Sequence, residues 1–216
     1  MPARDPTTRA RLLAGACLAF FIVGGLGRLA LGDSLTAWDQ GVLASIAAAR
    51  LPAITSLMKA LSVIGAGEIA IPIGLMVAWL LARQGNQSAA RCYAVTTLSG
   101  WALNIGLKSL FQRPRPAILP HLDRAGGFSY PSGHAMLAPL VFGLGAFLLT
   151  RELPAPARRL IRSGAVLIAV AIGFSRVYLA VHYPSDVIAA ILAGTGWSAL
   201  GVAVGSPLDK KSSLPV

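Results

Sequence analysis

Three short polar stretches interrupt an otherwise apolar chain. They read KSLFQRPRP from Lys108 to Pro116, PSGH from Pro131 to His134, and SRVYLAVHYPSD from Ser175 to Asp186. Ionisable side chains near membrane depth are costly, which makes them functional candidates by default. Together the stretches offer three cations (Lys108, Arg115, Arg176), two histidines (His134, His182), one carboxylate (Asp186) and the Ser132-Gly133 turn. Three cations with a single carboxylate suit a multiply charged anion, whereas metal sites draw on carboxylates or thiolates. Neither metal nor cofactor is expected. Phosphate fits: arginine presents planar paired donors to its oxygens, and lysine adds a point charge that can steady a pentavalent transition state. Ser132 and Gly133, just before an apolar run, add a hydroxyl and free backbone N–H groups at a helix N-terminus.

Two histidines in such a pocket divide the work between attack on phosphorus and protonation of the departing oxygen. Asp186 selects between them. It lies four residues after His182, with Pro184 opening a helix between, and can accept a hydrogen bond from one ring nitrogen, raising the nucleophilicity of the other. His182 therefore reads as the nucleophile, His134 as the acid and Asp186 as the residue that orients His182. Phosphate monoester hydrolysis without a catalyst is so slow that charge neutralisation and a covalent step must together lower the barrier by about 20 kcal/mol.

These residues need elements to bring them together. Only 12% of the 216 residues are charged, against about 25% in an ordinary soluble domain, and the 55% that are hydrophobic fill close to six spans of about 20 residues. The apolar runs are Leu12 to Leu31, Leu61 to Ala82, Cys92 to Leu110, Ser132 to Thr150, Ser163 to Val181 and Val187 to Gly205. An all-α, integral membrane six-helix bundle follows, one domain over residues 1–216 with its motif-bearing core at 92–205. Asp33 to Ala60, with Asp39, Arg50, Pro52 and Lys59, reads as an interfacial or re-entrant helix pair between the first two spans. The first run reads as a retained helix, since Arg28-Leu29 makes a poor signal-peptide cleavage site.

Parity then tests the site. If the third span runs outward, its end, the start of the fourth, the end of the fifth and the start of the sixth share one face, and all three polar stretches meet there. With both termini cytoplasmic, the inner set is Arg4, Arg9, Arg11, Arg83, Arg91, Arg151, Arg158, Arg159, Arg162, Lys210 and Lys211, eleven of the nineteen basic residues. The positive-inside tendency favours this orientation, in a cell (inner) membrane with the pocket on the outer face.

The residues resemble the type-2 phosphatidic acid phosphatase superfamily, whose three blocks read KxxxxxxRP, PSGH and SRxxxxxHxxxD. Lys108 with Arg115-Pro116 matches the first, Pro131 to His134 the second, and Ser175-Arg176, His182 and Asp186 the third. The resemblance implies that His182 carries the phosphoryl group, that Asp186 assists it and that His134 serves the leaving group. Lys108, Arg115, Ser132, Gly133 and Arg176 would bind phosphate without a metal. It also implies a phosphorylated lipid as substrate, a monophosphate or diphosphate such as undecaprenyl diphosphate, phosphatidic acid or phosphatidylglycerol phosphate. A second RP pair, Arg113-Pro114, lacks the family spacing, and Arg113 reads as a substrate-side contact.

Other residues have plainer readings. Tyr130 and Tyr183, with Trp38, suit an outer aromatic belt or else touch substrate. His121, beside Asp123 and Arg124, reads as a solvated loop residue, and Glu68 either lines the entrance or snorkels to the interface. Gly24, Gly25 and Gly27, and Gly201 with Gly205, read as close helix contacts. Cys17 and Cys92 fit neither a disulfide framework nor a zinc site. The basic residues form no stripe with interleaved aromatics, so nucleic acid is excluded as a partner. Two competing functions stay open: a phosphatase for a small soluble ester, and a scaffold or transporter that holds an anionic headgroup without hydrolysis.

Overall fold

A computed structural model describes residues 6–205. All regular structure among them is helical: α1 (Pro6–Leu29), α2 (Asp33–Ala48), α3 (Pro52–Gly65), α4 (Gly67–Arg83), α5 (Gln87–Phe111), α6 (Gly133–Leu149), α7 (Ala155–Tyr178) and α8 (Pro184–Gly205). Arg4, Lys210 and Lys211, used above for orientation, lie outside the described residues.

The boundaries follow from local chemistry. Asn86 caps α5 by accepting the Ala89 N–H at 3.0 Å. At its other end Gln112 turns into the left-handed region with φ 46°, and Arg113-Pro114-Arg115-Pro116 forbids further helix because proline lacks the N–H and restricts its predecessor. Pro52 opens α3, where its missing donor costs nothing. Pro139 falls inside α6 and leaves no N–H for the regular ladder, so one turn over Pro139–Gly143 widens to a π-helix.

Six spans were expected, and the eight helices arise where the apolar pattern is broken by polar or small residues. The Asp33 to Ala60 segment forms α2 and most of α3. Leu61 to Ala82 is not one run: the chain breaks at Ala66, between α3 and α4, with a bend of 52°. Three helices, α1, α7 and α8, are long and apolar enough to cross a membrane, four if α3 and α4 count as one bent span. The polar residues within α5, including Asn104 and Ser99, dilute its hydropathy, and α6 is a shorter apolar helix. Large apolar side chains point outward all round, among them Phe21 at 81% exposed, Leu75, Leu98, Leu110 and Leu167. That surface suits lipid and would be untenable in water.

Of the three long apolar helices α8 is the most buried. Small residues let its neighbours close in: a Cβ on Gly194 would run into the α6 backbone at Met136, one on Gly196 into Ala19 of α1, and one on Gly201 into Thr96 of α5. Gly205 meets Cys92 in the same way and Gly27 meets Phe111, whereas Gly24 and Gly25 face open space. α1 is tied in further by Phe20 edge-on to Trp197 and by the Tyr130 hydroxyl, which donates to the Val23 carbonyl. The α2–α3 turn holds the end of α7, with Arg50 donating to the Tyr178 carbonyl at 2.6 and 3.1 Å.

Candidate active site

The C-terminal ends of α5 and α7 and the N-terminal ends of α6 and α8 meet at one end of the bundle, so the three polar stretches come together as parity requires. Between α5 and α6 the chain runs from Gln112 to Ser132 without regular structure and arches over this end.

The reversal from α7 into α8 places His182. Ala180 takes a positive φ of 58°, a strained choice for a residue with a Cβ, and the N–H groups of Val181 and His182 return to the Arg176 carbonyl at 3.1 and 3.3 Å. The His182 ring is buried. Its Nε2 lies 3.0 Å from Arg115 Nη1. Since guanidinium can only donate, Nε2 is the acceptor and carries the lone pair. The ring proton then sits on Nδ1, which faces the Ser129 hydroxyl at 3.3 Å and Asp186 Oδ2 at 3.4 Å. Burial first, and then the Arg115 and Lys108 charges, push the His182 pKa down to about 4 against the opposing pull of Asp186.

Asp186 is saturated. Oδ2 also accepts the Ser129 hydroxyl at 2.5 Å and the Tyr183 N–H at 2.9 Å, and Oδ1 accepts Arg113 Nη1 at 2.7 Å. Arg113 therefore turns inward. It is 2% exposed, gives its other arm to Asp39 at 2.8 Å and lies 4.0 Å over the Tyr183 ring. Burial works against its charge, but Asp186 and Asp39 more than compensate and hold it fully protonated. Arg113, read above as a substrate-side contact, and Tyr130, read as an aromatic-belt residue or else a substrate contact, have protein partners instead, Tyr130 being fully buried against Phe111 and α1.

The remaining cations all bond to the arching segment. Lys108 donates to the Phe128 carbonyl at 2.5 Å. Arg115 donates to Gly126, Gly127 and Val181 carbonyls at 2.7, 3.1 and 2.7 Å. Arg176, 2% exposed, reaches the Asp123 carboxylate at 2.5 Å, the Arg124 carbonyl at 3.2 Å and the Ser62 hydroxyl. Burial pushes the Asp123 carboxyl up, but bonds from Ser62, the Arg124 N–H and Arg176 bring it below its ordinary value.

Two polar atoms are left over. Ser132 Oγ and Arg176 Nε are buried with no partner among the described residues, a state that costs about 1–3 kcal/mol per group unless a ligand or water satisfies it. Ser132 stands at the N-cap of α6, its hydroxyl unused for capping, and Gly133 opens the first turn. His134 follows in that turn, half-buried beside Gly65 at the end of α3, within range of the charges on Arg115, Arg176 and His182. The arrangement gathers Lys108, Arg115 and Arg176 with the Ser132 hydroxyl and the start of α6 around one imidazole lone pair, with a second imidazole nearby, and such a donor set can take an anion.

Sequence reasoning missed Asp39, Ser62, Asp123, Ser129 and Ser185 as parts of this end. His121 is an exposed loop residue whose Nε2 donates to the Pro116 carbonyl at 2.7 Å. Glu68 sits exposed at the start of α4, at the same end of the molecule.

A family model described as the PAP2 superfamily matches residues 89–207. Phosphatidylglycerophosphatase B of Bacillus subtilis (strain 168) is 28% identical over 152 residues, covering 69% of this chain and 74% of that protein. Lipid A 4'-phosphatase of Bacteroides thetaiotaomicron is 30% identical over 142 residues, 58% of this chain and 60% of that protein. The crystal structure of a transmembrane PAP2 type phosphatidylglycerolphosphate phosphatase from Bacillus subtilis superposes with a TM-score of 0.84 at 24% identity, covering 91% of this chain and 98% of that one. At that identity the superposition speaks for the fold.

Proposed function

The chain belongs to the PAP2 superfamily, and from that premise we propose that it is an integral membrane phosphatase acting on a lipid phosphate or diphosphate through a phosphohistidine. The observation that carries the reading is the pair of orphaned buried atoms, Ser132 Oγ and Arg176 Nε, beside a His182 Nε2 whose lone pair faces a cationic pouch. Phosphate oxygens supply what the two orphans lack.

In the proposed reaction His182 Nε2 forms a bond to phosphorus as the bond to the ester or anhydride oxygen breaks. His134 gives that oxygen a proton. Lys108, Arg115, Arg176, Ser132 and the Gly133 N–H hold the three equatorial oxygens, while Asp186 and Ser129 accept from Nδ1–H and stabilise the cationic ring. His134, now a base, takes a proton from water, which attacks phosphorus and breaks the P–N bond, releasing phosphate. The protein's residues supply the charge that a metal would otherwise bring.

The reading also assigns six spans, namely α1, the bent α3–α4 pair, α5, α6, α7 and α8, with α2 in the interface, both termini cytoplasmic and the pouch at the outer face. Support comes from Arg9, Arg11, Arg83, Arg91, Arg151, Arg158, Arg159 and Arg162, which fall at the end of the bundle opposite the pouch. A pouch level with the headgroups suits an amphiphile whose tail stays in the bilayer. The relatives named above act on lipid phosphates by their names, and this class is proposed for the chain.

The test is phosphate release by purified protein in detergent from undecaprenyl diphosphate, phosphatidic acid, phosphatidylglycerol phosphate and glucose 6-phosphate, wild type beside His182→Ala. Release from at least one lipid, lost in the variant, is expected. Failure on every lipid would end the reading, and hydrolysis of the sugar ester alone would move it to a soluble substrate.

A further inference from the structure

Asp39 stands on α2, outside the family-matched segment, yet it is fully buried. Oδ1 accepts the Ser185 N–H at 2.9 Å, and Oδ2 accepts the Ser185 hydroxyl at 2.5 Å and Arg113 Nη2 at 2.8 Å. Arg113 donates its other arm to Asp186 at 2.7 Å and to the Ser185 hydroxyl at 2.8 Å. One guanidinium is thus shared by two buried carboxylates, only one of which touches His182.

The charge count matters because none of the three is exposed. Asp39, Arg113 and Asp186 sum to one negative charge. When His182 accepts a phosphoryl group its ring becomes cationic, and that single negative charge is its counter-ion. Without Asp39 the sum is zero: Arg113 faces Asp186 alone, and the ring develops its charge with no net balance. Loss of the acceptor for the Ser185 N–H would also loosen the first turn of α8, where Asp186 sits.

Resting on the phosphatase reading above, we propose that Asp39 is a positioning residue of the reaction, setting through Arg113 and Ser185 how strongly Asp186 holds the Nδ1 proton of His182. The groups facing His182 from the other elements are Lys108 of α5, Arg115 and Ser129 of the arching segment, and His134 of α6 with Arg176 of α7 behind it. None of them contacts Asp39, so a change at Asp39 reaches His182 by way of Arg113, Ser185 and Asp186.

The chain has only three histidines, so the ring nitrogens of isotope-labelled full-length protein in micelles can be assigned with His182→Ala. At neutral pH the wild type is expected to hold the His182 proton on Nδ1. Asp39→Asn keeps the shape and removes the charge. It should shift His182 towards the Nε2–H form and lower kcat about tenfold or more with KM within about twofold. Asp39→Asn with Arg113→Gln returns the sum to one negative charge and removes both partners of the Asp39–Arg113 ion pair together, which avoids the uncompensated buried charge that loss of one partner leaves. This double variant should recover the tautomer and most of kcat.

A brace that only holds α2 to α8 predicts the reverse, a lower melting temperature with the tautomer and kcat of Asp39→Asn unchanged, and further loss in the double variant. Either result overturns the proposal. If the wild type hydrolyses no lipid, the phosphatase reading fails separately, and the tautomer comparison still decides whether Asp39 acts on His182.

Discussion

Asp186→Asn removes one charge and almost no volume, yet the geometry leaves the amide no good orientation. Oδ1 accepts from Arg113, and Oδ2 from Ser129, the Tyr183 N–H and His182 Nδ1. If the amide oxygen faces Arg113, its NH2 confronts three donors. If it faces those three, the NH2 confronts a guanidinium. In the first orientation the NH2 donates to His182 Nδ1, which reverses the tautomer and moves the lone pair away from phosphorus. A reversed tautomer in a comparable His–Asp pair costs about 10⁴ in kcat, close to 5.5 kcal/mol of barrier. Part of that is recovered here if Ser129 rotates to donate to the ring, so a fall of about 10³- to 10⁴-fold is expected. KM should stay within about threefold, because Lys108, Arg115 and Arg176, the proposed phosphate ligands, do not touch Asp186. Rapid quench with labelled lipid checks the cause, since the phosphohistidine should form slowly and then break down. A variant that keeps kcat within about tenfold of wild type and raises KM instead would refute the orienting role.

The depressed His182 pKa carries a sign. Its folded value, about 4, lies below the ordinary 6.5 or so, so unfolded chains bind the proton first. This contribution to stability is whole above about pH 6.5 and is lost as pH falls towards about 4. Histidine NMR should place the titration below 5, and a midpoint at 6.5 or above would contradict the burial argument. Tyr130→Phe loses one buried hydrogen bond to α1, so thermal denaturation should show a loss of about 1 kcal/mol with kcat unchanged; a large fall in kcat would return Tyr130 to the substrate. Turnover should survive EDTA and be inhibited by vanadate, which mimics pentavalent phosphorus. Activity abolished by chelator and restored by magnesium would mean that the cationic side chains do not suffice.

Much of this site was legible because its chemistry is local. KxxxxxxRP, PSGH and SRxxxxxHxxxD each lie within a dozen residues, and helix parity alone brings them to one end. The spacing also separated Arg115, which reaches His182, from Arg113, which does not. What Arg113 does was hidden because its partner Asp39 lies 74 residues earlier in the chain and looked like any polar residue of an interfacial helix. Ser129 and Asp123 belong to a segment without periodicity, where side-chain direction is set by the pouch. The break at Ala66 was missed for a different reason: Gly65-Ala66-Gly67 is apolar enough to read as continuous helix, and only packing against His134 and Ile172 gives the bend its place.

The glycines of α8 have a mechanical consequence. The helix behaves as a stiff rod pinned at Gly194, Gly196 and Gly201 against three different neighbours, and its N-terminal tip holds Asp186. A wedge at one pin swings the tip. Gly201 is about 22 Å along the rod from Asp186, and a leucine there would collide with Thr96. Gly201→Leu should therefore slow phosphoryl transfer from the opposite end of the bundle, by leverage alone, with every side chain around His182 unchanged.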